Sequence, residues 1–168
     1  MLNANPHEEQ VKELIVLYPR LRRAMTIFMF GSRIDADDVV QDAYEKAFER
    51  IHSFREDSSL YTWLYQIARN RALDLVRKKA PDLMDEEGWM DRLMDERNDD
   101  PGESGQVQAL RQAIRQLPST MREVVVLKVL EGFSYEEMEQ ITGENVQTLK
   151  SRMFRAKRRL HELMKPDT

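Results

Sequence analysis

The stretch from residue 134 to 159, SYEEMEQITGENVQTLKSRMFRAKRR, constrains the fold of this chain more than any other. Ser134 and Glu137 have the spacing of a capping box, which marks the start of a helix. Gly143 supplies the left-handed residue that ends that helix, and Asn145 can cap the next one. Two short helices joined by a glycine turn form a helix-turn-helix, whose second helix enters the major groove of DNA. The sequence therefore predicts a DNA-binding domain here.

The second of these helices carries a high positive charge. From Asn145 to Lys165 the chain contains seven lysines and arginines and one acid, Glu162. Clustered cations of this kind bind phosphate backbones. At about 100° per residue, Leu149 and Met153 fall on the inward face of the helix. The side chains predicted for the opposite side are Gln147, Thr148, Ser151, Phe154, Arg155 and Arg158.

Position along this helix predicts a role for each polar side chain. Residues near the amino end of a recognition helix approach the base edges most closely, so Gln147, Thr148 and Ser151 are predicted to read bases. Arg155 is predicted to reach a guanine or a phosphate. The side chains predicted mainly to hold phosphates are Lys150, Arg152, Arg158 and Arg159. The alternative is a cationic helix that is merely solvated.

The distribution of charge divides the chain into three parts. The formal net charge is −4 over 168 residues, but residues 81 to 106 contain ten acidic and only two basic side chains. The same segment holds two prolines and three glycines, a composition typical of a flexible linker. We therefore predict two small domains, residues 1 to 80 and 107 to 168, joined by an acidic linker at 81 to 106.

Apolar residues recur with helical spacing along the whole chain, without sustained strand alternation, which predicts an all-α fold. A first helix is expected to begin near Pro6 with Asn5 as its cap, to carry Ile15 and Tyr18 on its inward face, and to stop at Gly31. A second is expected to open with the acids around Asp37, and a later one to run through residues 124 to 130.

The clearest pattern is an apolar stripe from Leu60 to Val76. It includes Trp63 and leaves out Tyr61 and Tyr65.

Composition excludes several classes of protein. The chain has no cysteine, and its three histidines lie far apart, so neither a disulfide framework nor a metalloenzyme is supported. No cofactor is predicted. The amino terminus lacks the layout of a signal peptide, and no apolar run approaches the roughly 18 residues of a membrane span. These features predict a cytoplasmic protein.

Residues 52 to 71 mix aromatic and basic side chains, a combination suited to single-stranded nucleic acid. Rings stack on unpaired bases while cations follow the backbone. The predicted residues of this surface are Tyr61, Trp63, Tyr65, Arg69, Asn70 and Arg71. Trp63 lies on the apolar stripe and is equally explained as a core residue, whereas Tyr61 and Tyr65 fall off that stripe.

Three strings taken together resemble the two-domain, extracytoplasmic-function class of bacterial RNA polymerase sigma factors. They are DADDVVQDAYEKAFERIHSF, SSLYTWLYQIARNRALDLVRK and LPSTMREVVVLKVLEGFSYEEMEQITGENVQTLKSRMFRAKRRL. The likeness covers residues 10 to 165 in the order of the family, including its variable linker. One departure is Glu139, which lies where such motifs usually keep a small residue so that the two helices can approach closely.

The resemblance implies an all-α fold and three partner surfaces. The second helix would dock on the clamp helices of the polymerase's largest subunit, through Asp38, Val39, Gln41, Asp42, Glu45 and Phe48; without the resemblance, these residues read equally well as a solvated face. Residues 52 to 71 would recognise the minus-ten element and trap a base flipped out of the non-template strand, with the loop from Phe54 to Leu60 shaping the pocket. The helix-turn-helix would read the minus-thirty-five element.

The resemblance also implies that the linker threads the polymerase and that an anti-sigma protein inhibits the chain. The sequence is thus interpreted as a sigma factor that binds core RNA polymerase, directs it to promoters and assists melting, without catalysis of its own. The alternative is a free-standing helix-turn-helix regulator, although no dimerisation helix is evident. A nucleic-acid-modifying enzyme is a third interpretation, but the sequence shows no catalytic cluster to support it. Asp37 and Asp38 are better explained as acids at a helix start.

Overall fold

The computed structural model describes residues 6–29, 34–79 and 104–165. Within these ranges the chain forms seven α-helices and no β-strand, which confirms the predicted all-α fold. The acidic linker lies outside the described residues, apart from its last three positions at 104 to 106.

The amino-terminal half is built from three helices: α1 (Pro6–Phe28), α2 (Ala36–Arg50) and α3 (Leu60–Lys79), with a 3₁₀ turn at Ile51–Ser53 between the last two. Asp35 caps α2, since its side-chain oxygen accepts a hydrogen bond from the backbone N–H of Asp37 at 2.8 Å. Their core includes fully buried Leu14, Val40 and Leu64. The apolar stripe predicted for the third helix therefore packs where expected. Residues 5 and 31, the expected cap and stop of α1, lie outside the described ranges.

The carboxy-terminal half begins with α4 (Gly105–Arg115) and α5 (Ser119–Val125). The sequence predicts one helix through residues 124 to 130, but the structure changes at Val126 into a π-helical segment, Val126–Leu130. The wider turn is closed by a hydrogen bond from the Glu131 N–H to the Val126 carbonyl at 2.9 Å. Gly132 then turns the chain with φ of +72°.

The helix-turn-helix consists of α6 (Tyr135–Thr142) and α7 (Val146–Leu163). Both hydrogen bonds of the predicted capping box are present. The Glu137 N–H donates to the Ser134 hydroxyl at 3.1 Å, and the Ser134 N–H donates to the Glu137 carboxylate at 2.7 Å. Gly143 has φ of +75°, and Asn145 caps α7 through the Thr148 N–H at 2.8 Å. The local signals in the sequence therefore fix both ends of the turn.

Glu139 does not separate the two helices of this motif. Its side chain is exposed, while Met138 and Ile141 on the same helix are buried and supply the packing. α6 contacts α7 on one side and α3 on the other, so the helix-turn-helix also packs against the amino-terminal half. No helix in the described part of the chain is long and apolar enough to cross a membrane.

Candidate nucleic-acid and protein interfaces

The outer face of α7 is organised as the sequence predicts. Leu149, Met153 and Ala156 are buried beneath it, and Gln147, Lys150, Ser151 and Arg155 are exposed. These four residues and Phe154 line one shallow concavity. The Phe154 ring is 67% exposed, and an apolar group in this setting can contact a thymine methyl in a major groove. Thr148 lies beside them, partly buried. Capping at Asn145 and packing at Leu149 hold this face outward.

The predicted phosphate-holding cations do not all have the same surroundings. Lys150, Arg158 and Arg159 are exposed, and the last two lie 3.9 and 3.4 Å from the Glu162 carboxylate. Arg152 differs, because its guanidinium donates to Glu144 at 3.0 Å and its side chain is only 16% exposed. In this conformation Arg152 ties α7 to the turn before it.

Tyr61 and Tyr65 on α3 fall off the apolar stripe of that helix, yet the structure buries both of them. They are 5% and 1% exposed. The ring of Phe133, from the carboxy-terminal half, stacks on Tyr61 with a centroid distance of 5.7 Å and meets Tyr65 edge-on at 5.4 Å. The two tyrosines do lie off the stripe that packs on α1 and α2. They are buried because α6 and the turn before it cover a second face of α3.

Burial perturbs both tyrosines. Loss of solvent raises the pKa of Tyr61 and of Tyr65 well above the usual range of a phenol. The Tyr65 hydroxyl has no hydrogen-bond partner within the described residues. An orphaned buried hydroxyl costs about 1 to 3 kcal/mol. The covered state of α3 therefore carries a polar penalty at its centre.

Ion pairs and hydrogen bonds surround these rings, and we call the whole contact the seam. Arg20 of α1 lies over the Tyr61 ring, 3.8 Å from its centroid, and donates to the Glu131 carboxylate and to its backbone oxygen, each at 2.9 Å. Arg69 of α3 forms a largely buried ion pair with Glu123 of α5. The Gln66 amide donates to the Gln140 carbonyl at 3.1 Å, and the Thr62 hydroxyl donates to Glu137 at 3.3 Å.

The other predicted residues of the single-strand surface are divided among different settings. Trp63 is partly buried with its ring 5.3 Å from that of Phe54, in agreement with the alternative core role. Arg71 donates to Asp42 of α2 at 2.6 Å, whereas Asn70 is exposed. The structure thus gathers Tyr61, Tyr65 and Arg69 at the seam and leaves the rest outside it.

On α2, four of the six predicted polymerase-binding residues share one exposed face, namely Asp38, Gln41, Glu45 and Phe48. The placement of Val39 on that face is wrong, because its side chain is fully buried in the amino-terminal core. A side chain one residue from Asp38 is turned by about 100°, which points it inward. Asp42 is partly buried and paired with Arg71.

A groove between α1 and α2 extends this face. It is lined by Ile15 and Tyr18 from α1 and by Gln41, Tyr44, Glu45 and Phe48 from α2. Ile15 is 59% exposed and the neighbouring Val16 is 76% exposed. The sequence assigns Ile15 and Tyr18 to the inward stripe of the first helix, and the structure shows that this stripe is wider than the core it packs on. Contiguous exposed apolar side chains with a polar rim are typical of protein-binding surfaces.

Two family profiles match this chain: Sigma-70 region 2 over residues 14–81, and Sigma-70 region 4 over residues 107–160. Among curated proteins, the chain is 33% identical to the ECF RNA polymerase sigma factor EcfG of Rhodopseudomonas palustris, over 92% of this chain and 84% of that protein. It is 30% identical to the ECF RNA polymerase sigma-E factor of Escherichia coli K12, over 95% and 89%.

Among solved structures, the fold is similar to that of the sigma factor RpoE of Bartonella quintana, crystallised with the anti-sigma factor NepR. The TM-score is 0.78 at 32% identity, and the match covers 96% of this chain and 99% of that one. CnrH in complex with the cytosolic domain of CnrY has the same fold, with a TM-score of 0.61 at 23% identity and coverage of 94% and 88%.

Proposed function

This chain belongs to the extracytoplasmic-function class of RNA polymerase sigma factors, and on that basis we propose which of its surfaces binds each partner. As an alternative sigma factor, it binds core RNA polymerase and directs it to promoters. One observation supports the assignment of surfaces: the exposed apolar and acidic groups lie on one part of the chain, and the exposed cationic groups lie on another. An apolar and acidic groove lies on α1 and α2, and a cationic, polar face lies on α7.

We assign the groove between α1 and α2 to the polymerase. Asp38, Gln41, Glu45 and Phe48 form its predicted part, and the exposed Ile15 and Tyr18 extend it. Apolar side chains with charges at the rim suit a helical protein partner. In this family that partner would be the clamp helices of the polymerase's largest subunit. Val39 supports the surface only from below.

The outer face of α7 is assigned to the minus-thirty-five element. Gln147, Thr148 and Ser151 lie near its amino end, where a recognition helix comes closest to base edges. Arg155 and Phe154 continue the same face. Lys150, Arg158 and Arg159 would hold phosphates. The exposure of these groups in the free chain supports direct binding without rearrangement of α7.

We assign the Tyr61 and Tyr65 surface, with Trp63, Asn70 and Arg71 beside it, to the minus-ten element and the melted non-template strand. The adjoining loop between Phe54 and Leu60 contains Glu56 with φ of +57°. A glutamate in this region costs about 1 to 3 kcal/mol, and such strained residues cluster at binding sites. That strain supports the loop as part of the pocket. Binding energy, without nucleotide hydrolysis, would drive the opening of the duplex.

Because the similar sigma factor RpoE of Bartonella quintana was crystallised with an anti-sigma factor, we propose that an anti-sigma protein also binds this chain. Because a sigma factor acts on core RNA polymerase, we propose that this chain acts in the cytoplasm and catalyses no reaction of its own. The charge of its acidic linker suits the basic surfaces of a nucleic-acid channel.

Co-elution with core polymerase tests the assignment of the groove. Asp38→Lys with Gln41→Lys is expected to abolish co-elution, because reversing charge at a matched interface costs several kcal/mol. Glu139→Lys with Gln112→Lys makes the same change in net charge at exposed positions of the other half, and should co-elute normally. Normal binding by the folded Asp38 and Gln41 variant would remove this face from the proposal.

A further inference from the structure

We infer that the seam is an internal imitation of the melted DNA strand, and that Arg20 is a further phosphate-binding residue of the single-strand site. The inference rests on the proposed role of Tyr61 and Tyr65 in binding an unpaired base. In the free chain, Phe133 occupies the position of that base, and the carboxylates of Glu131 and Glu123 occupy the positions of backbone phosphates.

The geometry of Phe133 supports its part in this imitation. Its ring is inclined by only 16° to the ring of Tyr61 at a centroid distance of 5.7 Å, and it meets Tyr65 edge-on. A base trapped by two tyrosines would need the same kind of flat contact. Phe133 is 4% exposed, so it fills this space in the closed chain and excludes any other ring.

The carboxylates of Glu131 and Glu123 support the phosphate part of the imitation. Glu131 binds Arg20 at 2.9 Å, and Glu123 binds Arg69. Arg20 also lies over the face of the Tyr61 ring, 3.8 Å from its centroid. A cation beside a stacking ring is the combination that single-strand sites use to hold a base and its phosphate. Removal of the two carboxylates would leave Arg20 and Arg69 facing the strand.

The promoter itself requires the seam to open. By their names, the minus-ten and minus-thirty-five elements are centred about 25 base pairs apart, or about 85 Å at 3.4 Å per pair. In the closed chain α6 packs on both α3 and α7. Because packed helices lie about 8 to 10 Å apart, α7 is within about 20 Å of α3. One closed chain cannot read both elements, so the Tyr61 and Tyr65 surface becomes available when the halves separate.

The composition of the seam suits a contact that must separate. Its centre contains the Tyr65 hydroxyl, which lacks a hydrogen-bond partner among the described residues. At its rim the side chain of Arg20 is 42% exposed, which limits the strength of its pair with Glu131. The pair of Arg69 with Glu123 is largely buried, so its separation requires a replacement anion for Arg69. A phosphate of the DNA strand would supply that anion.

Nitration with tetranitromethane, followed by mass spectrometry of the full chain, tests whether the tyrosines are covered. Tyr18 is 39% exposed and serves as the internal reference. Tyr61 and Tyr65 are expected to react at least about tenfold more slowly than Tyr18 in the free chain. Glu131→Ala should reduce this protection, while Glu139→Ala, which removes an exposed acid from the same half, should not. Equal reactivity of all three tyrosines in the unaltered chain would overturn the inference.

Binding of a fluorescein-labelled, 12-nucleotide single-stranded oligothymidine tests the imitation. Glu131→Ala is expected to tighten single-strand binding about tenfold, or about 1.4 kcal/mol, and to leave binding of a 12-base-pair duplex unchanged. Adding Arg20→Ala in that background should reverse most of the gain. Glu131→Gln, which keeps the side-chain volume, should act in the same direction more weakly and covers the case in which the alanine variant is unstable.

The two readouts separate this inference from the proposed function. Exposed tyrosines in Glu131→Ala without tighter single-strand binding would overturn the imitation. A gain that persists after Arg20→Ala would overturn the assignment of Arg20. A different experiment tests the proposed function. If holoenzyme carrying Tyr61→Ala with Tyr65→Ala forms normal open complexes, the proposed function fails, whatever the nitration result.

Discussion

The two candidate DNA-binding helices, α3 and α7, place their binding residues in opposite environments. On α7 the side chains that pack and the side chains that would read DNA lie on opposite faces, with Leu149 buried and Gln147 exposed. On α3 the same residues, Tyr61 and Tyr65, would bind a base and are also buried in the closed chain. One helix separates stability from recognition, and the other combines them.

The chemistry of the two ligands explains this difference. A duplex is read through hydrogen bonds and charge, so the reading surface is polar and is stable in water. A flipped base is held by stacking, so its site must be apolar. An apolar site exposed to water without its ligand is unfavourable, and covering it with Phe133 removes that cost. A surface that binds unpaired bases therefore tends to require a cover.

Tyr65→Ala is the largest expected single-residue effect and directly tests the dual role of α3. Loss of a fully buried aromatic ring is expected to lower the free energy of unfolding by about 3 to 5 kcal/mol. The same variant in holoenzyme should form closed complexes and fewer open ones, because stacking acts only after a base leaves the duplex. Chemical denaturation and permanganate footprinting measure the two effects.

A template with a pre-melted bubble serves as the control for Tyr65→Ala. If the bubble does not restore open complexes to this variant, the defect lies outside base trapping. Tyr65 would then have a purely structural role, and α3 would not combine stability with recognition.

Gln147→Ala tests the separation of roles on α7. It is expected to change preference at one or two positions of the minus-thirty-five element by about 1 to 3 kcal/mol, because a base-reading hydrogen bond is lost. Unfolding stability should change by less than about 0.5 kcal/mol, since the side chain is exposed. Binding of promoter variants by reconstituted holoenzyme measures the preference. An identical loss on every variant would exclude Gln147 as a reader.

Lys150→Ala should have a smaller effect that does not depend on sequence. Loss of one phosphate contact is expected to weaken all promoters alike and to lower the slope of log affinity against log salt by about 0.9. A salt series on the same promoter variants measures this slope. A loss confined to one promoter variant would show that Lys150 reads sequence.

Arg152→Ala is the smallest expected effect and refines the assignment of cations on α7. Because Arg152 donates to Glu144 and is largely covered, its loss should cost about 1 kcal/mol of unfolding free energy or less. The salt slope should stay unchanged. Denaturation and a salt series on Arg152→Ala, beside Lys150→Ala, distinguish the two. A reduced slope would restore Arg152 to the phosphate-binding set predicted from the sequence.

Features encoded within a few residues were predictable from the sequence. The capping box of Ser134 and the cap at Asn145 depend on contacts three residues apart, and the left-handed Gly143 ends its helix through a contact four residues back. The periodicity of α7 places Leu149 inward for the same reason. These choices depend on local geometry, which the order of residue types specifies directly.

The burial of Tyr61 and Tyr65 was not predictable in this way. Their cover, Phe133, lies about 70 residues further along the chain, and periodicity on α3 reports only one of its two packed faces. The exposure of Ile15 was not predictable either, because an apolar stripe does not reveal whether a partner helix covers its full width. Val39 was misplaced because adjacent residues on a helix point about 100° apart.

The π-helical segment Val126–Leu130 makes the seam sensitive to chain length as well as to side-chain chemistry. A π turn accommodates one residue more than an α turn, so a deletion of one residue here would close the segment as a regular α turn and keep Glu131 and Phe133 directed at α3. An inserted residue cannot be absorbed in the same way and would rotate both side chains by about 100°, away from α3. An insertion of one codon in this segment would therefore unmask the strand site while every residue that binds DNA or polymerase stayed the same.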